Sequence, residues 1–187
     1  MNDLRQHLRG CLMGRICLMG LGNTDYADDG FGVRLGEDLL SAGMADVILA
    51  GTTPDRSIGP AAERGFDHIV FLDAVEFGGA PGSVVLLNAR EISARYPQIS
   101  THKISLGVLA KWVEANGRTK VWLLGVQPES MKAGQQLTPT AQATLEVLRE
   151  LLLDLTIGRK NVGTAALGCP AERSSAIRDR ASAEVTV

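Results

Sequence analysis

Three side chains stand out as candidates for chemistry: Asp29, Asp73 and His102. Two carboxylates and one imidazole form a ligand set that suits a borderline divalent ion such as nickel or zinc, with coordination positions left open. The same carboxylates could activate a water molecule. Because the three residues are far apart in the sequence, only the fold can bring them together.

Asp29 lies in an acidic loop that follows Gly20-Leu21-Gly22-Asn23. Two glycines after a strand invite a nucleotide-binding interpretation, but the full G-x-G-x-x-G pattern is missing. Asp25, Asp28 and Asp29 would also repel a pyrophosphate at the start of the next helix. Several carboxylates in one loop favour a cation, and the glycines are expected to let the backbone turn sharply.

Short apolar runs predict the strands that position these residues. In open α/β sheets, ligands bind beyond the carboxyl ends of the strands. Asp29 follows the first run, Thr52 follows the second and Asp73 ends the third. Gln127 follows the last run, and His102 lies in a loop before a predicted helix. The predicted strands are 15–19, 46–50, 68–72, 83–87 and 120–124.

Helical patterns alternate with these strands. Thr138-Pro139 predicts a helix start, with threonine as N-cap and proline in the first turn. A short helix is also expected within residues 57–65. The apolar stripes that predict helices are Phe31, Leu35 and Leu39; Ile104, Val108 and Trp112 over 104–115; and Ala141, Leu145, Leu148, Leu152 and Leu155.

The alternation predicts an α/β domain with a mostly parallel five-stranded sheet covered on both faces. The turn at residues 78–82 is too short for a crossover, so the fourth strand is expected to be antiparallel. One domain is predicted over residues 1–157, with residues 1–14 as a leader of little pattern. Residues 158–187 are polar and small, which predicts a flexible C-terminal tail.

Composition argues against several classes of protein. The net charge of -2 gives no basic surplus for nucleic acid. No run approaches the roughly 20 apolar residues of a membrane helix, and the N-terminus has no signal-peptide pattern. Three cysteines without C-x-x-C spacing indicate a reducing compartment. The expected location is the cytoplasm.

Several short motifs occur in order between residues 15 and 155. They are Gly20-Leu21-Gly22-Asn23 with Asp28-Asp29-Gly30-Phe31-Gly32; Gly51-Thr52; Asp73-Ala74 with Pro81-Gly82; Ser100-Thr101-His102; and Gly125-Val126-Gln127-Pro128-Glu129 with Leu137-Thr138-Pro139. Each motif alone is weak, but the ordered set is specific. It resembles the [NiFe]-hydrogenase maturation endopeptidases, which trim the C-terminus of a hydrogenase large subunit.

The resemblance implies a three-layer α/β/α fold and an aspartic-type endopeptidase, with Asp29 and Asp73 as catalytic carboxylates. It implies that Asp29, Asp73 and His102 recognise nickel already bound in the substrate, where zinc or cadmium could substitute. The implied partner is the precursor of a large subunit, cleaved just after its nickel-holding cysteine motif. A monomer is expected, since the enzyme must approach a protein. Some members of the family have glutamate at the position of Asp29.

Several of these residues could instead have purely structural roles. Asp29 could cap the first helix, and Asp28 is expected to be a cap or loop residue. Trp112 and Trp122 are expected in the core. His68 lies at the amino end of its strand, which indicates a structural or solvated role. Thr52 and Gln127 are predicted to bind substrate.

Two other functions remain open. A metal-binding chaperone or sensor on the same fold would have the same site without peptidase activity. A nucleotide-binding module would use Gly20 and Gly22, but the acidic loop ranks it last.

Overall fold

The computed structural model of the chain describes residues 2–95 and 105–157. The predicted ligand His102 and the predicted tail 158–187 lie outside these residues. The strands are β1 Ile16–Leu21, β2 Val47–Gly51, β3 His68–Ala74, β4 Val84–Asn88 and β5 Lys120–Val126. The helices are α1 Asn2–Cys11, α2 Phe31–Ser41, α3 Pro54–Glu63, α4 Ala89–Arg95, α5 Leu106–Asn116 and α6 Pro139–Ile157, and Ala27–Gly30 is a 3₁₀ turn before α2.

The five strands form one mixed sheet in the order β2-β1-β3-β5-β4. β1, β2, β3 and β5 are parallel, and β4 is antiparallel to β5. The predicted α/β class and the antiparallel fourth strand are therefore confirmed. Because the parallel strands share one direction, their carboxyl ends meet along one edge of the sheet.

Helices cover both faces of the sheet, which gives the expected three layers. One apolar cluster joins the sheet to α1, α2 and α6, through residues such as Leu8, Leu35 and Leu152. The other joins it to α3, α4 and α5, through residues such as Ile58 and Ile92. Burial on both faces explains why the strands are continuous apolar runs.

The N-terminal segment is a helix packed on the core, although its sequence showed little pattern. Leu4 and Leu8 are buried on one face of the helix, and the buried Leu12 directly follows its last residue. Leu8 and Leu12 are fully buried in the same cluster as α6. This row of leucines is narrow and its neighbours in the sequence are polar. The sequence alone therefore did not predict a helix here, and its packing against the sheet and α6 becomes evident only in the structure.

The helix predicted over residues 104–115 is present as α5, but the predicted face is wrong. Val108 and Trp112 are exposed, with Trp112 at 48%, and the buried face carries Leu109 and Val113. The expectation of a core Trp112 is therefore incorrect, whereas Trp122 is buried as expected. The helix has two competing apolar stripes, and packing on the sheet selects one of them.

α4 was missed, although the sequence carries a signal for it. The Asn88 side chain accepts the Glu91 N–H at 3.0 Å, and the Glu91 carboxylate accepts the Asn88 N–H at 2.9 Å. This reciprocal pair is a capping box three residues apart. It begins a helix directly after β4, with no loop between them.

Candidate active site

The site begins where the chain leaves β1 and crosses the end of β3. A Cβ placed on Gly32 would lie 1.8 Å from the Leu72 carbonyl oxygen and 2.7 Å from that of Leu21. Only glycine permits this approach, so the start of α2 sits directly over the carboxyl ends of both strands. The acidic loop before α2 is thereby brought next to Asp73.

Gly22 lies between the two predicted catalytic residues. Its φ of +107° is in the region that favours glycine. A Cβ built there would be 1.7 Å from the Asp29 carbonyl oxygen and 3.7 Å from Asp73 Oδ1. Two residues separated by more than forty positions therefore meet beside one glycine at the carboxyl edge of the sheet.

Both carboxylates are buried, with Asp29 5% and Asp73 4% exposed. Asp29 Oδ2 accepts the Asn23 N–H at 2.9 Å, and Asp73 Oδ1 accepts the Ala74 N–H at 2.9 Å. The N-cap of α2 is Gly30, and no side chain makes a capping hydrogen bond there. Asp29 thus does not cap α2.

The neighbouring Asp28 has a structural role, as expected. Its Oδ1 accepts the Thr138 N–H at 2.7 Å, and its Oδ2 accepts the Thr138 hydroxyl at 2.9 Å. Oδ2 also accepts the N–H groups of Glu129 at 2.9 Å and Ser130 at 3.1 Å. This fully buried carboxylate ties the loop after β5 and the start of α6 to the 3₁₀ turn that carries Asp29.

Backbone hydrogen bonds join the same two loops. The Ala27 N–H donates to Gly134 O at 2.5 Å, and the Asp28 N–H donates to Ser130 O at 3.0 Å. Ala27 has a positive φ of 35°, which an alanine rarely adopts. Because both sides of Asp28 are anchored, the position of the Asp29 backbone is closely determined.

Gln127 holds the loop that follows Asp73. Its Oε1 accepts three backbone N–H groups, from Phe77 at 2.9 Å, Gly78 at 3.0 Å and Gly79 at 3.2 Å. The carbonyl end of this side chain is therefore occupied within the protein. Thr52, the other predicted substrate-binding residue, is exposed just beyond β2 at the same edge of the sheet.

Within residues 2–95 and 105–157, no three His, Cys, Asp or Glu side chains are grouped closely enough to hold a metal ion. The described part of the site supplies the two carboxylates Asp29 and Asp73. The predicted imidazole, His102, is outside it. The space above Gly22 is filled by the Asp29 carbonyl, which argues against a phosphate cradle there.

Known proteins resemble this chain along most of its length. A family model described as HycI, hydrogenase maturation protease, matches residues 33–155. The Hydrogenase 2 maturation protease of Escherichia coli K12 is 32% identical over 147 residues, which cover 74% of this chain and 88% of that protein. HupD of Rhodobacter capsulatus, a hydrogenase expression/formation protein, is 31% identical over 150 residues, covering 73% and 71% of the two chains.

A solved structure has the same fold. The [NiFe] hydrogenase maturation protease HycI from Thermococcus kodakarensis KOD1 has a TM-score of 0.70 and 28% identity, over 82% of this chain and 97% of that one.

In the part of our chain that the structure describes, no helix is long and apolar enough to cross a membrane.

Proposed function

Since the chain belongs to the hydrogenase maturation protease family, we propose that Asp29 and Asp73 form the centre at which it removes the C-terminal peptide of an [NiFe]-hydrogenase large subunit. C-terminal processing of the large subunit is the family's function, and this chain is an endopeptidase of that kind.

The proposal is supported most strongly by two buried aspartates, Asp29 and Asp73, because the Asp29 backbone and the Asp73 carboxylate both approach Gly22 at the carboxyl edge of the sheet. Hydrolysis needs a group that takes a proton from the attacking water and later returns one to the leaving amine. Two buried carboxylates at the ligand-binding edge of the sheet are suited to this task. No side chain makes a capping hydrogen bond at α2, so helix capping does not account for either carboxylate.

In the proposed mechanism, Asp29, Asp73 and His102 bind nickel that the substrate already carries. That contact positions the scissile peptide bond beside the carboxylates, so that attack becomes an intramolecular event. A carboxylate accepts a proton as the water oxygen bonds to the peptide carbon. The C–N bond then breaks, and the proton passes to the new amine, which makes the enzyme aspartic-type.

Nickel therefore acts as a signal that the precursor is loaded. The metal is part of the substrate, and zinc or cadmium with the same ligand preferences can replace it at the site. We place the reaction in the cytoplasm, with the protease acting as a monomer on a folded protein.

The test is a cleavage assay on purified large-subunit precursor, with the mass of the C-terminus followed over time. Wild type should release a short peptide from nickel-loaded precursor, and Asp29→Asn, Asp73→Asn and His102→Ala should lose at least about a hundredfold in rate. The control is Asp25→Asn, which changes an exposed carboxylate in the same loop and should retain wild-type activity.

Two outcomes would count against the proposal. Equal cleavage of nickel-free and nickel-loaded precursor would remove the role of the metal. Binding of loaded precursor without any cleavage would favour the alternative, a metal-binding chaperone on the same fold.

A further inference from the structure

The two edge strands of the sheet differ in how well they are covered. Residues Val84–Leu87 of β4 are all buried, with no residue more than 9% exposed. On β2, Leu49 is 42% exposed, although both strands are apolar. Of the two edge strands, β2 therefore has the less covered side chains.

The backbone of β2 offers hydrogen-bonding groups along this edge. The Leu18 N–H donates to Asp46 O at 2.9 Å, and Leu18 lies opposite Val47 in the parallel register. In such a ladder Ile48 bonds to β1, so Val47 and Leu49 direct their N–H and C=O groups away from it. Among the described residues, no other strand pairs with that side.

This edge also lacks the usual protection against pairing. Natural edge strands carry charged residues or proline that prevent another strand from adding to the sheet. The sequence of β2, VILAG, contains neither. An apolar edge with open ladder positions is a template for an extended peptide, which binds through its main chain.

The edge leads to the candidate active site. β2 ends at Gly51, whose carbonyl oxygen accepts the Gly22 N–H at 3.1 Å. A Cβ built on Gly22 would meet the Asp29 carbonyl oxygen and lie 3.7 Å from Asp73 Oδ1. A peptide laid along β2 therefore runs toward the point where the precursor is cleaved.

We propose that β2 binds the C-terminal segment of the hydrogenase precursor as an added sixth strand, with Leu49 at the centre of the contact. This inference rests on the proposed function. The segment removed by cleavage is a chain end, so it can lie extended, whereas the residues before the cleaved bond belong to the metal-bearing body of the subunit.

The sheet geometry sets the distance between this contact and the cleaved bond. An added strand lies three strand spacings from β3, which carries Asp73, or about 14 Å at about 4.8 Å per strand. An extended chain advances about 3.3 Å per residue, so it crosses this distance in about four residues. The bound segment therefore begins about four residues beyond the cleavage site.

Photo-crosslinking tests the contact without requiring cleavage. Benzoylphenylalanine would replace Leu49 in one protein and Trp112 in another; the two positions are similarly exposed, at 42% and 48%. With nickel-loaded precursor, the Leu49 position should crosslink to the C-terminal segment, and the Trp112 position should not. Crosslinks from the Leu49 position to the body of the subunit, or none at all, would overturn the proposal.

Kinetics supply the second measurement. Leu49→Lys places a charge on the edge, and Leu40→Lys is its control on α2, at 39% exposure. Leu49 Cδ2 lies over Gly36 of α2, 2.7 Å from where a Cβ would be, and the stem of the introduced lysine can take the same place, so the fold should persist. We expect kcat/KM to fall about tenfold for Leu49→Lys, mainly through KM, with little change for Leu40→Lys.

A shortened substrate separates this inference from the proposed function. For a precursor that keeps only about four residues beyond the cleavage site, wild type and Leu49→Lys should have the same KM. A persistent difference would overturn the edge contact. Failure of wild type to cleave the full precursor would instead count against the proposed function, and the crosslinks would still report on the edge.

Discussion

At the scale of single residues, Asp28 and Asp29 are adjacent buried carboxylates with different tasks. Asp28 accepts hydrogen bonds from Glu129, Ser130 and Thr138, all more than one hundred positions away. An asparagine at this position would turn its amide toward one of these donors. We expect Asp28→Asn to lower the free energy of unfolding by about 2–4 kcal/mol.

Chemical denaturation measures this cost. The control is Asp25→Asn, which changes an exposed carboxylate in the same loop and should stay within about 0.5 kcal/mol of wild type. A similar loss for both variants would show that the buried hydrogen bonds of Asp28 do not hold the two loops together.

Cys17 gives a prediction about pH. Burial raises the pKa of the Cys17 thiol from 9.0 to about 11, while the charge of Arg64 opposes the shift. Between these values the unfolded thiol ionises and the folded one does not, so stability is constant below about pH 9 and falls toward pH 11. The fall due to this group is about 2–3 kcal/mol.

The measurement is the free energy of unfolding of wild type and Cys17→Ala from about pH 8 to about pH 11. Lysine and tyrosine ionisation affects both proteins, so the difference between the two curves isolates the thiol. That difference should shrink by about 2–3 kcal/mol above about pH 9. Parallel curves over this range would contradict the prediction.

At the scale of elements, Gln127 connects the end of β5 to the loop after β3. Its Oε1 is the shared acceptor for Phe77, Gly78 and Gly79. Gln127→Glu keeps an acceptor of the same length, whereas Gln127→Met removes it. We expect Gln127→Met to increase amide hydrogen exchange at these three positions and to lower kcat/KM, and Gln127→Glu to preserve both.

The pair of variants also decides how Gln127 serves the substrate. If the amide nitrogen binds the precursor directly, Gln127→Glu would raise KM although the loop stays protected from exchange. If Gln127 only holds the loop, kcat/KM should fall in the variant whose loop amides exchange faster and stay unchanged in the variant whose loop remains protected.

Elements were predictable where their signal is local. The five strands are continuous apolar runs, and Thr138-Pro139 begins α6 as predicted, with Thr138 Oγ1 accepting the Ala141 N–H at 3.3 Å. α5 shows the limit of such patterns. Its two stripes are both apolar, and the sequence alone cannot tell which one the sheet covers.

At the scale of the whole molecule, the rule that ligands bind beyond the carboxyl ends of the strands predicts from the sequence that Asp29 and Asp73 share one edge. Their meeting beside Gly22 follows from strand order and from the crossing of α2 over β3. The partners of Asp28 could not be predicted, because they are separated from it by 101 to 110 positions. No spacing rule spans such distances; only the tertiary fold sets these contacts.

The packing of α1 gives a last prediction. Leu8 is fully buried in the cluster shared with α6, whereas Arg5 and Arg9 reach Asp154 at 2.9 and 3.2 Å through half-exposed ion pairs. We expect Leu8→Ala to cost about 2–5 kcal/mol, because it leaves a cavity. Asp154→Asn breaks both ion pairs and should cost less than about 1 kcal/mol, since water and salt screen them.

Denaturant unfolding of the two variants compares apolar burial with surface charge directly. A larger loss of stability for Leu8→Ala than for Asp154→Asn would mean that α1 is held by apolar packing, as part of the domain that carries the site. If Leu8→Ala were as stable as wild type, α1 would be detached from the core in solution. A larger loss for Asp154→Asn would mean that charge, and not the leucine stripe, holds the helix in place.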